Sequence, residues 1–403
     1  MSRKVVITAM GVCSSLGFSE AEIIDSLENG RVSFERPSFD PTVVTSPVRN
    51  FDIRDFFHGP FKDRRYLTRG GLFCVASAMA AVRDSGLGKE MLTRAGLFMG
   101  TGPNLDISGE FPEIPDRRMD RDDLMALWML RFLPNTPASV TARCAGIHGE
   151  NLTINTACAA SLQAVGEAFR KIREGYLDLA FAGGGDSRLN PGGILAYRKA
   201  NALFTETADP GSASRPFDRG RCGFVPGEGG AVFLLESLAH AKSRGASVYA
   251  EVCGYGSSMD GYNMTAPHPE AEWGEKAVRE ALHDAGMDAG DIDLVSAHGT
   301  GTPLNDDMEA VLLDRVFGNT RPRVTAFKSW TGHLAAACGA IELALTLVCM
   351  RHRYIPQIRN LQDPCHPRIN FVRNVTEDTP DAVLLENFGF GGQNTALVIN
   401  RYG

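Results

Sequence analysis

Apolar positions along the chain fall into short β-branched runs that alternate with longer segments of helical period. Val5 to Thr8 is such a run and leads into a turn built from Gly11, Ser14, Ser15 and Gly17. Ser19 to Leu27 and Thr68 to Asp84 carry apolar residues at helical spacing. The first has a serine at its start and the second ends in Ser85-Gly86. Leu97-Phe98-Met99 reads as a buried strand before Gly100-Thr101-Gly102-Pro103. Leu152-Thr153-Ile154 alternates like a strand end, and Leu162, Val165, Phe169 and Ile172 recur like one helix face. Cys158 falls between them, on a tight strand-to-helix turn. Leu179 to Ala182 is a further buried strand running into three glycines, 183 to 185. Arg31 to Asp63 reads as loops, and Leu124 to Phe132 as an apolar helical segment around Trp128. Asp106 to Arg121 is acidic, contains proline and predicts no element. The most apolar run, Leu334 to Met350, holds Gly339 and Glu342 and is short for a bilayer span, which makes it a core helix.

The pattern repeats. Val5 to Ser15 is echoed by Val248 to Ser258, and the helix ending Asp84-Ser85-Gly86-Leu87 by one ending Asp284-Ala285-Gly286-Met287. The Cys158 turn is echoed by the turn at Thr331-Gly332-His333, since each opens an alanine-rich helix. The shared order predicts an internal duplication with a boundary near Arg244-Gly245-Ala246, giving halves 1–245 and 246–403. Strands alternating with helices in both halves predict an α/β fold with covered sheets.

Composition narrows the function. A chain of 403 residues, 43% hydrophobic, can bury a large core. The net charge of -7, with no long basic run, argues against nucleic-acid binding. Nine cysteines are scattered without any Cys-x-x-Cys pair, which predicts no disulfide framework, no zinc site and a reduced, cytoplasmic setting. The basic front Met1-Ser2-Arg3-Lys4 precedes a β-branched run without a small-x-small cleavage site, so it reads as a first strand rather than a signal peptide. The triple glycine lacks the Gly-x-Gly-x-x-Gly spacing of a dinucleotide site.

Chemistry concentrates at strand ends. Asn155-Thr156-Ala157-Cys158-Ala159-Ala160-Ser161 sets a sulfur among small residues at a helix start. There the dipole and free backbone N–H groups favour a thiolate and can hold an oxyanion. Ser296-Ala297-His298-Gly299-Thr300-Gly301-Thr302-Pro303 places one histidine after a short strand. Lys328-Ser329-Trp330-Thr331-Gly332-His333 places a second before the apolar helix. Asn387-Phe388-Gly389-Phe390-Gly391-Gly392-Gln393-Asn394 follows the strand Val383-Leu384-Leu385. Sites in open α/β sheets form at the carboxyl ends of strands, so Cys158, His298, His333 and Phe390 can converge.

Together these four stretches resemble the β-ketoacyl-acyl-carrier-protein synthases, the ketosynthases of fatty-acid and type II polyketide assembly, in their elongating class. The resemblance runs from the first strand to the last. It implies a thiolase-like fold: two duplicated βαβαβαββ halves in a five-layer αβαβα sandwich, with chains paired as homodimers or as heterodimers with a chain-length-factor-like homologue. It implies decarboxylative condensation of an acyl group with malonyl-carrier protein, without metal or organic cofactor. Cys158 matches the nucleophile. The N–H groups of Cys158 and Phe390 match the oxyanion hole, and Phe390 the gate, hinged on Gly389, Gly391 and Gly392. His298 and His333 match the pair that binds the malonyl thioester carbonyl. Lys328 matches the active-site lysine and Glu309 its ion-pair partner. Phe224 lines the malonyl side. Lys62, Arg64, Arg65 and Arg69 form the densest basic cluster, where an acidic carrier protein is expected to dock.

The chain departs from the family pattern in places. Ala159-Ala160-Ser161 follows the cysteine, Cys222 stands where aspartate is usual, and Pro226 precedes Gly227. Glu386-Asn387 replaces an Asn-Ser pair. These departures leave fatty-acid and specialised polyketide or polyene pathways both open. A pocket-shaping partner subunit would lack the nucleophile that this chain has. A coenzyme A thiolase would carry a second cysteine near its end, where this chain reads Phe388-Gly389-Phe390-Gly391.

Overall fold

A computed structural model describes residues 3–57, 59–105, 125–206 and 209–403. Its strands are β1 (Val5–Cys13), β2 (Gly96–Thr101), β3 (Asn151–Ile154), β4 (Leu179–Ser187), β5 (Glu228–Ser237), β6 (Ala250–Met259), β7 (Leu294–Ser296), β8 (Arg323–Thr325), β9 (Asn370–Phe371), β10 (Ala382–Gly389) and β11 (Gln393–Arg401). They are ordered β3-β2-β4-β5-β1-β6-β11-β10-β7-β8-β9. From the centre outward, the first half runs β1, β5, β4, β2, β3. The second runs β6, β11, β10, β7, β8, the same order once the two-residue edge strand β9 is set aside. The senses repeat too. The β1–β5 and β5–β4 pairs are antiparallel, like β6–β11 and β11–β10, and the outer pairs are parallel in both halves. The two innermost strands join antiparallel at Val5 and Val252. A repeat of both order and sense is what a duplicated chain produces.

The helices are α1 (Glu20–Glu28), α2 (Arg69–Ser85), α3 (Lys89–Arg94), α4 (Thr136–Ala145), α5 (Ala160–Arg173), α6 (Pro191–Lys199), α7 (Leu238–Ser243), α8 (Glu272–Ala285), α9 (Pro303–Phe317), α10 (Lys328–Thr331) and α11 (Cys338–His352). Local chemistry sets their ends. The Ser19 hydroxyl accepts from the Glu22 N–H, Thr68 accepts from Gly71, and Gly86 takes the left-handed conformation that stops α2. Five layers result. Cys74, Ala78 and Ala81 of α2 and Ala138 of α4 pack on Leu97, Met99, Phe181 and Val232. Leu162, Val165 and Phe169 of α5 and Ile341, Leu345 and Val348 of α11 fill the middle, between Phe98 and Phe233 on one side and Leu385 and Leu397 on the other. Val278 of α8 and Leu312 of α9 cover Val295, Leu384 and Val398.

The apolar run ending at Met350 is a core helix, buried nearly all round. Ala335–His352 is the one stretch among the described residues long and apolar enough to cross a bilayer. The three glycines lie inside β4, where they admit neighbours rather than a nucleotide. A Cβ on Gly184 would stand 2.2 Å from the Gly100 carbonyl oxygen, and one on Gly185 2.4 Å from the Cys74 nitrogen of α2. All nine cysteines are free.

Two expectations need correction. The stretch 31–63 contains two short 3-10 helices, Ile53–Phe56 and Lys62–Tyr66, rather than loops alone. The helix expected over Leu124–Phe132 is a single 3-10 turn, Trp128–Arg131. Leu127 ahead of it is left-handed (φ 63°), and the exposed Leu127, Met129 and Leu133 have no core face to bury. Residue 124 and the acidic stretch from Asp106 to Arg121 lie outside the described residues.

Candidate active site

Cys158 sits where β3 turns into α5, on a single 3-10 turn from Ala157 to Ala159. Ala157 is held at φ 49°, a strained value for alanine. Neighbours enforce the turn. A Cβ on Gly100 of β2 would lie 2.4 Å from the Ser161 nitrogen, and one on Gly389 of β10 2.8 Å from the Thr156 carbonyl oxygen. The helices behind are stitched at their starts. The Cys338 thiol donates to the Cys158 carbonyl at 3.1 Å, and the Ala340 N–H to the Ser161 hydroxyl at 3.0 Å.

That stitching brings His333, five residues ahead of α11, to the sulfur: Sγ and His333 Nε2 are 3.1 Å apart. The His333 backbone is clamped, its N–H donating to Val225 and its carbonyl accepting from Gly227. Phe224 stands edge-on to its ring with centroids 5.0 Å apart, so Phe224 does face the site. His333 Nδ1 is buried without a hydrogen-bond partner among the described residues. His298 arrives from the end of β7, its ring 5.4 Å from that of His333 and perpendicular to it. A cavity of about 310 Å³ opens onto Cys158, His298, His333, Thr300, Phe224 and Phe390.

Behind His298 lies a sealed charged cluster. Lys328 Nζ pairs with Glu342 of α11, donates to the His298 carbonyl and lies 3.1 Å from His298 Nδ1. Asn387 Nδ2 donates to Glu342 at 2.7 Å and lies 3.2 Å from the same Nδ1. Glu309 is therefore not the ion-pair partner of Lys328. It lies midway along α9, the helix that follows the His298 turn, and reaches back to that turn. It accepts the N–H groups of His298 at 2.5 Å and Gly299 at 2.8 Å, and the Asn305 amide at 2.9 Å. Glu342, Asn387 and the neighbouring Glu386 had no role in the sequence reading. A lone carboxylate in the apolar run of α11 was the available signal, because a buried charge needs a partner.

Electrostatics correct a second expectation. Burial pushes the Cys158 thiol up to about 11, outweighing the Lys328 and Arg188 charges and the Phe390 N–H that favour the thiolate. Burial likewise holds both imidazoles well below their ordinary range, with the Lys328 ammonium adding to it, so both are neutral at pH 7. Burial opposes the charge on Lys328, yet Glu342, with Cys338 and Glu309 adding to it, keeps the ammonium above its usual range. Burial raises Glu309 to about 7 and Glu386 well above its usual range, and each carboxylate affects the other. Glu386 accepts from no donor among the described residues, and in its protonated form it shares a hydrogen bond with the Glu309 carboxylate.

Phe390 is 39% exposed beside the sulfur, in the tight β10–β11 connection. Gly391 and Gly392 there take φ of 86° and 76°. All four residues of the basic cluster are exposed, with Arg65 over the Tyr66 ring. Arg69 differs from the other three in being tied to a buried carboxylate. Its guanidinium donates to the buried Glu228 at 2.6 and 2.7 Å, and to the Val48 carbonyl at 3.1 Å. The donor atoms of Cys158, His298 and His333 lie within 4.8 Å of one another, a set that zinc could use. Sulfur and nitrogen bound tetrahedrally to one zinc would stand about 3.5 Å apart. The 3.1 Å observed is a hydrogen-bond separation instead.

Comparison with known proteins places this arrangement. Residues 2–241 match the family model "Beta-ketoacyl synthase, N-terminal domain", and residues 249–362 match "Beta-ketoacyl synthase, C-terminal domain". A 3-oxoacyl-[acyl-carrier-protein] synthase 2 of Coxiella burnetii is 35% identical over 424 residues, covering 99% of each chain. A crystal structure of a beta-ketoacyl synthase from Burkholderia phymatum superposes with a TM-score of 0.92 at 31% identity, over the whole of both chains. The ishigamide ketosynthase/chain length factor structure superposes at 0.90, also at 31% identity and over the whole of both chains. The five-layer duplicated architecture is thus the thiolase-like fold of ketosynthases. With both halves matched and whole-chain likeness to its enzymes, the protein belongs to the beta-ketoacyl synthase family.

Proposed function

We propose that the protein lengthens an acyl chain by two carbons, taking the acyl group from one carrier-protein thioester and the extender from malonyl-carrier protein. One observation carries the reading. A buried sulfur on a strained turn lies 3.1 Å from an imidazole, with a second imidazole in the same cavity.

In the first half-reaction the Sγ of Cys158 bonds to the acyl carbon and the carrier thiol leaves. The proton leaving Cys158 passes through His333 Nε2, the nearest base, to that thiol. In the second, the bond between the malonyl α-carbon and its carboxylate breaks. Carbon dioxide departs, and the electron pair remains as an enolate whose oxygen accepts from His298 and His333 Nε2–H groups. That carbanion then bonds to the acyl carbon on Cys158. The tetrahedral oxygen is held by the N–H groups of Cys158 and Phe390 until the Cys158 thiolate is expelled and reprotonated. Losing one such donor costs about 2.7–4 kcal/mol in enzymes of this logic. His333 suits both steps because no group among the described residues fixes its Nδ1, so its tautomer can change between them.

Phe390 serves as the gate, supported by its exposure and by the two left-handed glycines after it. Carrier proteins dock on Lys62, Arg64 and Arg65. The chain works as two halves, 1–245 and 246–403, in the cytoplasm. It pairs either with itself or with a homologue, as supported by likeness to a ketosynthase/chain length factor. Intact-protein mass spectrometry after incubation with acyl-carrier protein tests the function. An acyl adduct is expected on the wild type and not on Cys158→Ala. No adduct on the wild type overturns the reading.

A further inference from the structure

Asn387 stands where the family pattern carries serine, and the mechanism above makes no use of it. We infer that Asn387 is a positioning residue that, with Lys328, locks His298 in the tautomer carrying its proton on Nε2, the nitrogen offered to the malonyl thioester.

The orientation of the amide follows from its neighbours. Burial raises the Glu342 carboxyl, but the Lys328 ammonium paired with its Oε1 opposes this and favours the carboxylate, so the side of Asn387 2.7 Å from its Oε2 is the NH₂ group; a carbonyl there would repel it. That NH₂ has two hydrogens. One goes to Glu342, and the other faces His298 Nδ1 at 3.2 Å. The second neighbour of Nδ1 is the Lys328 ammonium at 3.1 Å, which has only hydrogens to offer. Both groups facing Nδ1 are donors, so Nδ1 accepts and the ring proton resides on Nε2. Phe388, the next residue on β10, stands edge-on to the same ring with centroids 5.8 Å apart.

The fold bears a cost to keep the amide here: Asn387 Oδ1 is buried without a partner among the described residues. His333 offers the contrast, since no group among the described residues holds its Nδ1. One imidazole is fixed as a donor while the other is free to change role.

This inference rests on the proposed condensation for its kinetic consequence, but its structural part can be read without it. Wild type, Asn387→Leu and Asn387→Ser are labelled with ¹⁵N-histidine, and the ring-nitrogen shifts of His298 are compared with those of His298→Gln as assignment control. The wild type is expected to show a single tautomer, protonated at Nε2, and Asn387→Leu, which leaves Lys328 as the lone donor, a mixed or shifted one; Asn387→Ser, which restores a hydroxyl donor, is expected to fall between the two. In parallel, acyl transfer to Cys158 is expected to stay within about twofold of wild type, while malonyl-carrier decarboxylation falls about tenfold or more, as for other residues that orient a functional histidine. The two changes together support the inference. An unchanged tautomer, unchanged decarboxylation, or parallel loss of both half-reactions overturns it. If the wild type itself does not decarboxylate malonyl-carrier protein, the functional reading fails and the resonances alone decide the role of Asn387.

Discussion

The Lys328 ammonium and the Glu342 carboxylate meet behind the His298 ring, both sealed from water. Removing one partner of such a pair leaves the other charge buried alone, which costs about 3–5 kcal/mol. Lys328→Met and Glu342→Leu are each expected to lose roughly that much in urea unfolding. The double variant should recover most of the loss, because it leaves no orphaned charge. Carbon dioxide release from malonyl-carrier protein should stay impaired in all three, since the donor to His298 Nδ1 is gone or unanchored. A double variant no more stable than the worse single one would show that the pair is not the cluster's main ionic bond.

Cys158 makes a sharper test of the site's electrostatics. With its thiol pushed up to about 11, the free enzyme carries a protonated sulfur at neutral pH. Alkylation by iodoacetamide should therefore be slow at pH 7 and rise about tenfold per pH unit toward 11. The rate constant, followed by mass spectrometry at Cys158, checks this. A plateau already near pH 7 would mean that a thiolate–imidazolium pair with His333 exists at rest.

Glu309 and Glu386 predict an unusual stability profile. Both carboxyls titrate above their ordinary range, so the folded chain holds protons that the unfolded chain releases near pH 4.5. Stability from this source is fully present below the unfolded value. It declines as pH rises through about 7 for Glu309, and further for Glu386. Glu386→Gln cannot ionise, so its Tm by calorimetry should fall less than that of the wild type between pH 5 and pH 8. Parallel Tm curves for the two proteins would refute the buried carboxyl pair.

Carrier docking should separate Arg64 and Arg65 from Arg69. Reversing Arg64 and Arg65 to glutamate is expected to raise the carrier KM roughly tenfold, about 1.4 kcal/mol, with kcat little changed. Arg69→Ala should instead lower stability by about 2 kcal/mol, because it strips the buried Glu228 of its guanidinium, and should leave KM alone. An Arg69→Ala variant of normal Tm and raised KM would return that residue to the docking face.

Cys158 and His298 could be found from sequence because each follows a short strand at a small-residue turn, whereas His333 comes one step later, after the single-turn helix α10 that follows β8. The core helix was legible too, as an apolar run with no polar face. Partner choice was not. Glu309 and Glu342 are both acids within reach of Lys328 in sequence. Only the packing of α11 on α5 aims one at the ammonium, leaving the other to accept N–H groups of the His298 turn. The state of the thiol also escaped, because a helix start argues for an anion, whereas burial, which argues against it more strongly, depends on layers packed from both halves. Arg69 looked like its basic neighbours because Glu228 lies 159 residues away.

The stitched starts of α5 and α11 have a last consequence. The sulfur and the imidazole are not presented by loops that can be tuned independently of the scaffold. Their separation is inherited from a helix–helix contact in the innermost layer, the region expected to open last in native-state exchange. Warming the enzyme should thus leave turnover intact until the molecule as a whole gives way, and drift in the reacting distance would have to begin in its densest part.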